Sequence, residues 1–162
     1  MARLRMTRPS SCLLLIVLLL TACDSTVFHS YNPVAGSRWT ATDTLCYNYA
    51  PSGAGGDREY DFRIGVRTTA AYGFKDLVMR LDGFLPGDSL PFLTDTVVCG
   101  IYDDDGWRRG TTAGLLYQVE SGTGHFGPVK CDTLLFRLSH LMDNDTLCGV
   151  SDVGLKLMSA GD

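Results

Sequence analysis

Apolar and polar residues alternate through much of the chain, most clearly between Tyr60 and Val66, where every second residue is apolar. Successive side chains of a strand point to opposite faces, so this period of two predicts a strand with one buried face. Similar alternation or apolar runs occur at 45–49, 77–81, 95–102, 114–120, 134–138 and 153–157. The pattern therefore predicts at least seven strands.

Turn-forming sequences separate most of the predicted strands. They include Pro51-Ser52-Gly53, the segment 85–88, Asp105-Gly106 and the segment 121–124, all rich in residues that favour turns. No segment shows a sustained helical period, and 139–146 could form at most one helical turn. Short antiparallel strands joined by turns predict an all-β fold, a single-domain antiparallel β-sandwich with either jelly-roll or immunoglobulin-like connections.

The N-terminus has the pattern of an export signal. A basic start with Arg3, Arg5 and Arg8 precedes the apolar run 12–20, which is shorter than the roughly 20 residues that a membrane-spanning helix needs. The sequence Leu20-Thr21-Ala22-Cys23 follows and is similar to a bacterial lipobox, in which the cysteine becomes the lipid-bearing N-terminus. We therefore expect a lipoprotein signal peptide at 1–22 and lipid attachment at Cys23.

These boundaries divide the chain into a leader, a short tether and one folded body. Residues 23–37 are expected to hold the lipidated tether and an edge strand, and 38–162 the sandwich. The whole chain carries a formal charge of −4, and loss of the leader arginines makes it more negative. An acidic body argues against nucleic-acid binding. Because Cys23 is expected to carry the lipid, we expect the protein to be anchored in the cell envelope, at the outer membrane.

Several motifs together resemble the gliding motility-associated lipoprotein family GldH. They are Val27-Phe28 with Tyr31, Trp39 before Asp43-Thr44-Leu45, the segments 72–77 and 95–96, the hairpin sequence 103–110 and the C-terminal pattern from Met142 to Leu155. The resemblance covers almost the whole predicted mature chain in order. It implies a non-enzymatic envelope lipoprotein that works with gliding-machinery or other envelope proteins, and it brings no catalytic residues with it. The lipid-bearing Cys23 is the one position that it transfers.

Four cysteines remain once Cys12 and Cys23 are set aside. An exported protein can form disulfides, and Cys46, Cys131 and Cys148 are the candidate partners. Cys99 shares the parity of the apolar residues around it, so it is expected to be a buried free thiol. The cysteines and histidines lack the paired spacing of a zinc site, and we expect no metal or other cofactor.

The acidic hairpin sequence Asp103-Asp104-Asp105-Gly106 does not match a calcium-binding EF-hand. Aligning Gly106 with the glycine of that loop leaves Ile101 and Thr112 where acidic ligands are required. A solvated turn explains the aspartates better. We also expect Arg108 and Arg109 to form surface salt bridges with them.

Two functional hypotheses follow for a chain that shows no catalytic constellation. The first is a structural or interaction component of a gliding or associated envelope secretion machine, which docks on another envelope protein. The alternative is a lipid-anchored carbohydrate-binding module, in which Trp39 and Trp107 could stack on a glycan. A glycan array separates the hypotheses, since glycan binding should be lost in Trp107→Ala.

Overall fold

The structure is a computed structural model that describes residues 25–52, 57–120, 124–130 and 132–160. These residues form twelve strands and one short 3-10 turn, Ala35–Ser37. The strands are β1 (Thr26–Pro33), β2 (Arg38–Thr40), β3 (Leu45–Tyr49), β4 (Arg58–Thr68), β5 (Asp76–Phe84), β6 (Leu93–Gly100), β7 (Thr111–Ala113), β8 (Leu116–Glu120), β9 (Gly124–Val129), β10 (Leu134–His140), β11 (Thr146–Cys148) and β12 (Val150–Ser159). The all-β prediction is confirmed.

Two antiparallel sheets and one two-stranded ribbon contain these strands. The larger sheet has the order β1-β12-β4-β8-β7, with β9 also paired to β4, and the smaller sheet has the order β3-β10-β5-β6. The ribbon pairs β2 with β11. β1, which lies within the expected tether segment, forms one edge of the larger sheet.

The connections between strands distinguish the two sandwich types that the sequence left open. Apart from the β5–β6 hairpin and the run from β7 to β9, successive strands of the two main sheets lie in opposite sheets. If the ribbon strands β2 and β11 are left out and the run from β7 to β9 is counted as one strand, eight strands remain. In chain order, the larger sheet then places the first, eighth, third and sixth of these strands side by side. This wiring is that of an eight-stranded jelly roll.

One continuous core lies between the two main sheets, made by the faces that the alternation identified. Phe62, Ile64 and Val66 of β4 face Phe136 and Leu138 of β10, and all five side chains are fully buried. The Tyr47 hydroxyl in the smaller sheet donates a 2.6 Å hydrogen bond to the Val153 carbonyl in the larger one. Buried apolar surface and this direct bond hold the sheets face to face.

The segment 121–124 was predicted to be a turn between strands, and residues 121–123 of it lie outside the described residues. β8 pairs with β4 through Gly65↔Glu120, and β9 continues along the same edge through Phe62↔Gly124. β8 and β9 are both antiparallel to β4, so they run in the same direction along its edge.

The strands of the sandwich finish at two opposite ends, which we call the near end and the far end. The near end is where β1 and β4 begin and where the segment 85–92 connects β5 to β6. The far end is where β4 finishes, and it carries the connections 69–75, 101–110 and 141–145. At about 3.3 Å per residue, the eleven residues of β4 separate the two ends by about 35 Å.

Candidate functional site

A hairpin at the far end holds Trp107 in solvent, with 74% of the residue exposed. Tyr102 and Arg108 form the bridge at its base, and Gly106 makes the turn with a positive φ of 82° that favours glycine. The Asp103 carboxylate accepts hydrogen bonds from the backbone N–H of Trp107, at 2.8 Å, and of Asp105, at 3.1 Å. Asp103 therefore orders the turn that presents the tryptophan.

Arg108 fixes this hairpin to the rest of the far end. Its guanidinium lies 4.7 Å from the ring centre of Tyr102 and 4.2 Å from that of Tyr117, within the range of cation–π attraction. It also donates to the Thr68 hydroxyl and to the Thr69 carbonyl, both at 3.1 Å. One side chain thus joins the hairpin to β8 and to the end of β4.

Tyr72 lies beneath the same arginine in the β4–β5 connection and is almost fully buried. Its carbonyl accepts hydrogen bonds from the Tyr102 hydroxyl at 2.9 Å and from Arg108 at 3.4 Å. Its own hydroxyl donates to the Asp76 carbonyl at 2.9 Å, and burial raises its pKa above the ordinary value. Tyr72 therefore stays protonated and serves as a structural donor at neutral pH.

The far-end ion pair differs from the predicted one. Lys75, rather than Arg108 or Arg109, pairs with Asp104, at 2.5 Å between Nζ and Oδ1. The hydrogen bond and charge of Lys75 lower the pKa of the exposed Asp104 carboxyl. The prediction that Arg108 forms surface salt bridges is wrong, because Arg108 turns inward between two tyrosine rings.

Trp39 occupies the other side of the far end and is fully buried. Its indole N–H donates to the Asp43 carbonyl at 3.0 Å, and its ring packs edge-on against His140, with centres 5.4 Å apart. Burial lowers the pKa of His140, and neither of its ring nitrogens has a hydrogen-bond partner among the described residues. Trp39 is a core residue, so it is not available for glycan stacking.

The described cysteines do not pair with each other. Cys99 is buried and free, as the alternation predicted, and burial raises its pKa to about 12. Cys46 and Cys148 are exposed free thiols, on β3 and β11, in separate sheets. Cys131 and the lipid-attachment candidate Cys23 lie outside the described residues, so their roles stay predictions.

No metal centre or membrane-spanning helix emerges from residues 25–52, 57–120, 124–130 and 132–160. Within these ranges no three acidic, cysteine or histidine side chains are placed to share a metal ion. No helix in them has the length and apolar character to cross a membrane. What the described far end does offer is a rigid turn with one large exposed aromatic side chain, Trp107.

The fold and the far end together define a class of protein: a jelly-roll sandwich with an exposed tryptophan, Trp107, on a hairpin that Arg108 holds in place. A family model described as GldH lipoprotein matches residues 26–157, from the first residue of β1 almost to the end of β12. The chain belongs to the GldH lipoprotein family. No curated protein and no solved structure matches it.

Membership makes the protein a lipid-anchored protein of the cell envelope, in agreement with the lipobox-like sequence. Many of the motifs that carried the resemblance meet at the far end: Trp39, Tyr72, the 103–110 hairpin and Met142, whose sulfur accepts a 3.4 Å hydrogen bond from the Val78 N–H. Sequence reasoning found these motifs. It missed Arg108 as the link between the hairpin and Tyr72, because only the fold brings Thr68, Tyr72 and Tyr117 to one arginine.

Proposed function

We propose that this protein is a non-enzymatic interaction component of a gliding or associated envelope secretion machine. A lipid on Cys23 holds it in the outer membrane, and its far end docks on another envelope protein. The observation that carries the proposal is Trp107, which is exposed on a turn that Asp103 and Arg108 make rigid. Tryptophan is enriched among residues that dominate binding energy, and a rigid presentation reduces the entropy lost on binding.

The lipid anchor supports the proposal through the lipobox-like Leu20-Thr21-Ala22-Cys23 and the family assignment. Metabolic labelling with a palmitate analogue, followed by membrane fractionation, tests it. The wild-type protein should carry the label and sediment with the outer membrane, whereas Cys23→Ala should lose the label and remain unprocessed. A Cys23→Ala protein that is still processed and membrane-bound would contradict attachment at this residue.

The docking surface can be tested by gentle solubilisation of envelopes, affinity purification and mass spectrometry. Trp107→Ala should lose motility or secretion-machine subunits that the wild-type protein retains, because a hot-spot residue contributes roughly 2 kcal/mol or more, about 30-fold in affinity. Val98→Ala is the matched control, since Val98 is also an exposed apolar residue, at 56%, on the outer face of β6. Equal recovery with both variants would contradict docking through Trp107.

Carbohydrate binding remains the second candidate, and exposed Trp107 is the observation that favours it, because an exposed indole can stack on a sugar ring. Burial of Trp39 leaves one described tryptophan rather than two for such a platform. A glycan array with wild-type protein and Trp107→Ala separates the candidates. Binding that disappears in the variant would support the carbohydrate hypothesis, and absence of binding together with recovery of protein subunits would support docking.

A further inference from the structure

The near end carries an apolar turn that the proposed docking at the far end does not use. Between Phe84 and Thr94 the only charged residue is Asp88. Leu90 is 80% exposed in this turn, and the adjacent Pro91 is exposed as well. A large apolar side chain in solvent at the tip of a connection gains free energy only when another apolar phase covers it.

The turn is continuous with a groove whose wall is also mostly apolar. Leu85, Phe92 and Leu93 form one side of the groove, and Phe126, Pro128 and Val129 of β9 form much of the other. Lys130 lies at the same place, and Arg58 pairs with Val129 across β4 and β9. Acidic Asp57 and Glu59 flank Arg58, so the near end combines exposed apolar groups with charged side chains of both signs. This composition suits a zwitterionic lipid headgroup boundary.

The start of β1 lies at this same end. The Ser159 N–H donates a 2.9 Å hydrogen bond to the Ser25 carbonyl, and Thr26 pairs with Met158, so the chain is fixed to the sheet from Ser25 onward. β9 is three strands away from β1 in the larger sheet, which corresponds to about 15 Å at the usual strand spacing. The apolar turn and the first residues of the folded body therefore occupy one end of the sandwich.

We infer that the near end rests on the membrane that holds the protein's own lipid anchor, with Leu90 at the lipid interface. This inference rests on the proposed lipid on Cys23. Only two residue steps separate Cys23 from Ser25, and a chain spans at most about 3.6 Å per residue, so the gap is at most about 7 Å. A single helix is about 10 Å across, so a helical partner does not fit into the gap below β1, and lipid is the occupant that the anchor itself brings there.

Tryptophan fluorescence in vesicles tests this placement. The full-length lipidated protein with Trp107→Phe provides a low background, and Leu90→Trp adds a probe to the near-end turn. Leu115→Trp is the matched control, because Leu115 is 92% exposed in the β7–β8 turn at the far end. The vesicles are phosphatidylcholine with or without bromine on the acyl chains, and flotation is measured in the same samples.

On reconstitution, the fluorescence of the tryptophan in Leu90→Trp should shift to shorter wavelength. Brominated lipid should quench roughly half of its intensity, because an interfacial side chain reaches the acyl boundary. Leu115→Trp should not respond. If the protein floats with the vesicles but the two probes behave alike, the inference is wrong and the anchor stands. If the wild-type protein does not float, the lipid on Cys23 and this inference both fail.

Discussion

Tyr31 shows how one residue can determine where a whole strand lies. Its ring covers Gly65 of β4 and Gly154 of β12, and the Arg67 guanidinium lies 3.9 Å from the ring centre. Two glycines in neighbouring strands leave a flat area that the ring fills. Because Tyr31 is in β1, this contact fixes to the larger sheet the strand that follows the proposed lipid anchor.

Gly154→Ala tests the contact at Tyr31. A methyl group at this position would lie 2.7 Å from two ring carbons of Tyr31, so the ring or β1 must move. We expect the free energy of unfolding to fall by about 1–3 kcal/mol, the usual cost of overpacking, as measured by urea denaturation. Gly73→Ala is the control, since no atom lies within 4 Å of its added methyl, and equal effects of the two would contradict the account.

His140 predicts a pH dependence of stability. Burial lowers its pKa in the folded protein, while the unfolded chain titrates near its ordinary value of about 6.5. As the pH falls through about 6.5 the unfolded state takes up the proton first, so the stability is complete above that pH and declines below it. Urea midpoints measured between about pH 8 and pH 5 should show this decline.

His140→Leu should reduce that decline. It should also cost little at neutral pH, because both ring nitrogens are buried without partners among the described residues and an apolar side chain avoids that penalty. His125→Gln, which alters an exposed histidine near Asp61, should retain the decline. An unchanged profile in His140→Leu would show that another group is responsible.

Residue burial was largely predictable from the sequence, whereas contacts between strands were not. The period of two placed Tyr47, Ile64 and Cys99 on buried faces, and all three are buried. Parity gives the face of a strand but not its neighbours in space. The pairing of Arg108 with Tyr117 and of Tyr31 with Gly154 therefore required the sheet order.

At the level of elements, the far end is a set of connections joined by side chains instead of a regular sheet. The β4–β5 connection and the 102–108 hairpin meet at the Tyr72 carbonyl, which accepts from Tyr102 and Arg108. Exposed connections are normally the most mobile parts of a fold. These contacts tie the connections of the far end together, which favours the proposed docking through Trp107.

Arg108→Lys tests this bracing. Lysine keeps the charge but loses the planar fork that contacts two tyrosines and donates to Thr68 and Thr69. We expect a loss of about 1–3 kcal/mol in the free energy of unfolding, with faster hydrogen exchange in 69–75 and 102–108. Arg109→Lys is the matched control and should change neither measurement. Equal protection in both variants would contradict the role of Arg108.

The limits of sequence prediction for elements have clear physical causes. β2 and β11 have three residues each, too few for an alternation to stand out. The segment 121–124 is rich in turn formers, but β8 and β9 continue along β4 on either side of it. Local composition indicates where a strand is interrupted, but pairing with β4 decides whether the chain reverses.

We propose that the two ends of the sandwich lie in different environments. The near end begins with β1 and carries Leu90, and the far end, about 35 Å away, carries Trp107. A lipid on Cys23 would place the first at the membrane and present the second to proteins beyond it. The family assignment supports a lipoprotein, and the jelly roll provides the rigid spacer.

Site-specific photo-crosslinking in living cells distinguishes a protein environment from a lipid environment at each end. A photoreactive phenylalanine analogue is introduced at Trp107 or at Leu90 of the full-length protein, and the adducts are identified by mass spectrometry. The account predicts a reproducible envelope-protein adduct from position 107 and none from position 90, where the surroundings are lipid. No protein adduct from position 107, or the same protein from both positions, would contradict it.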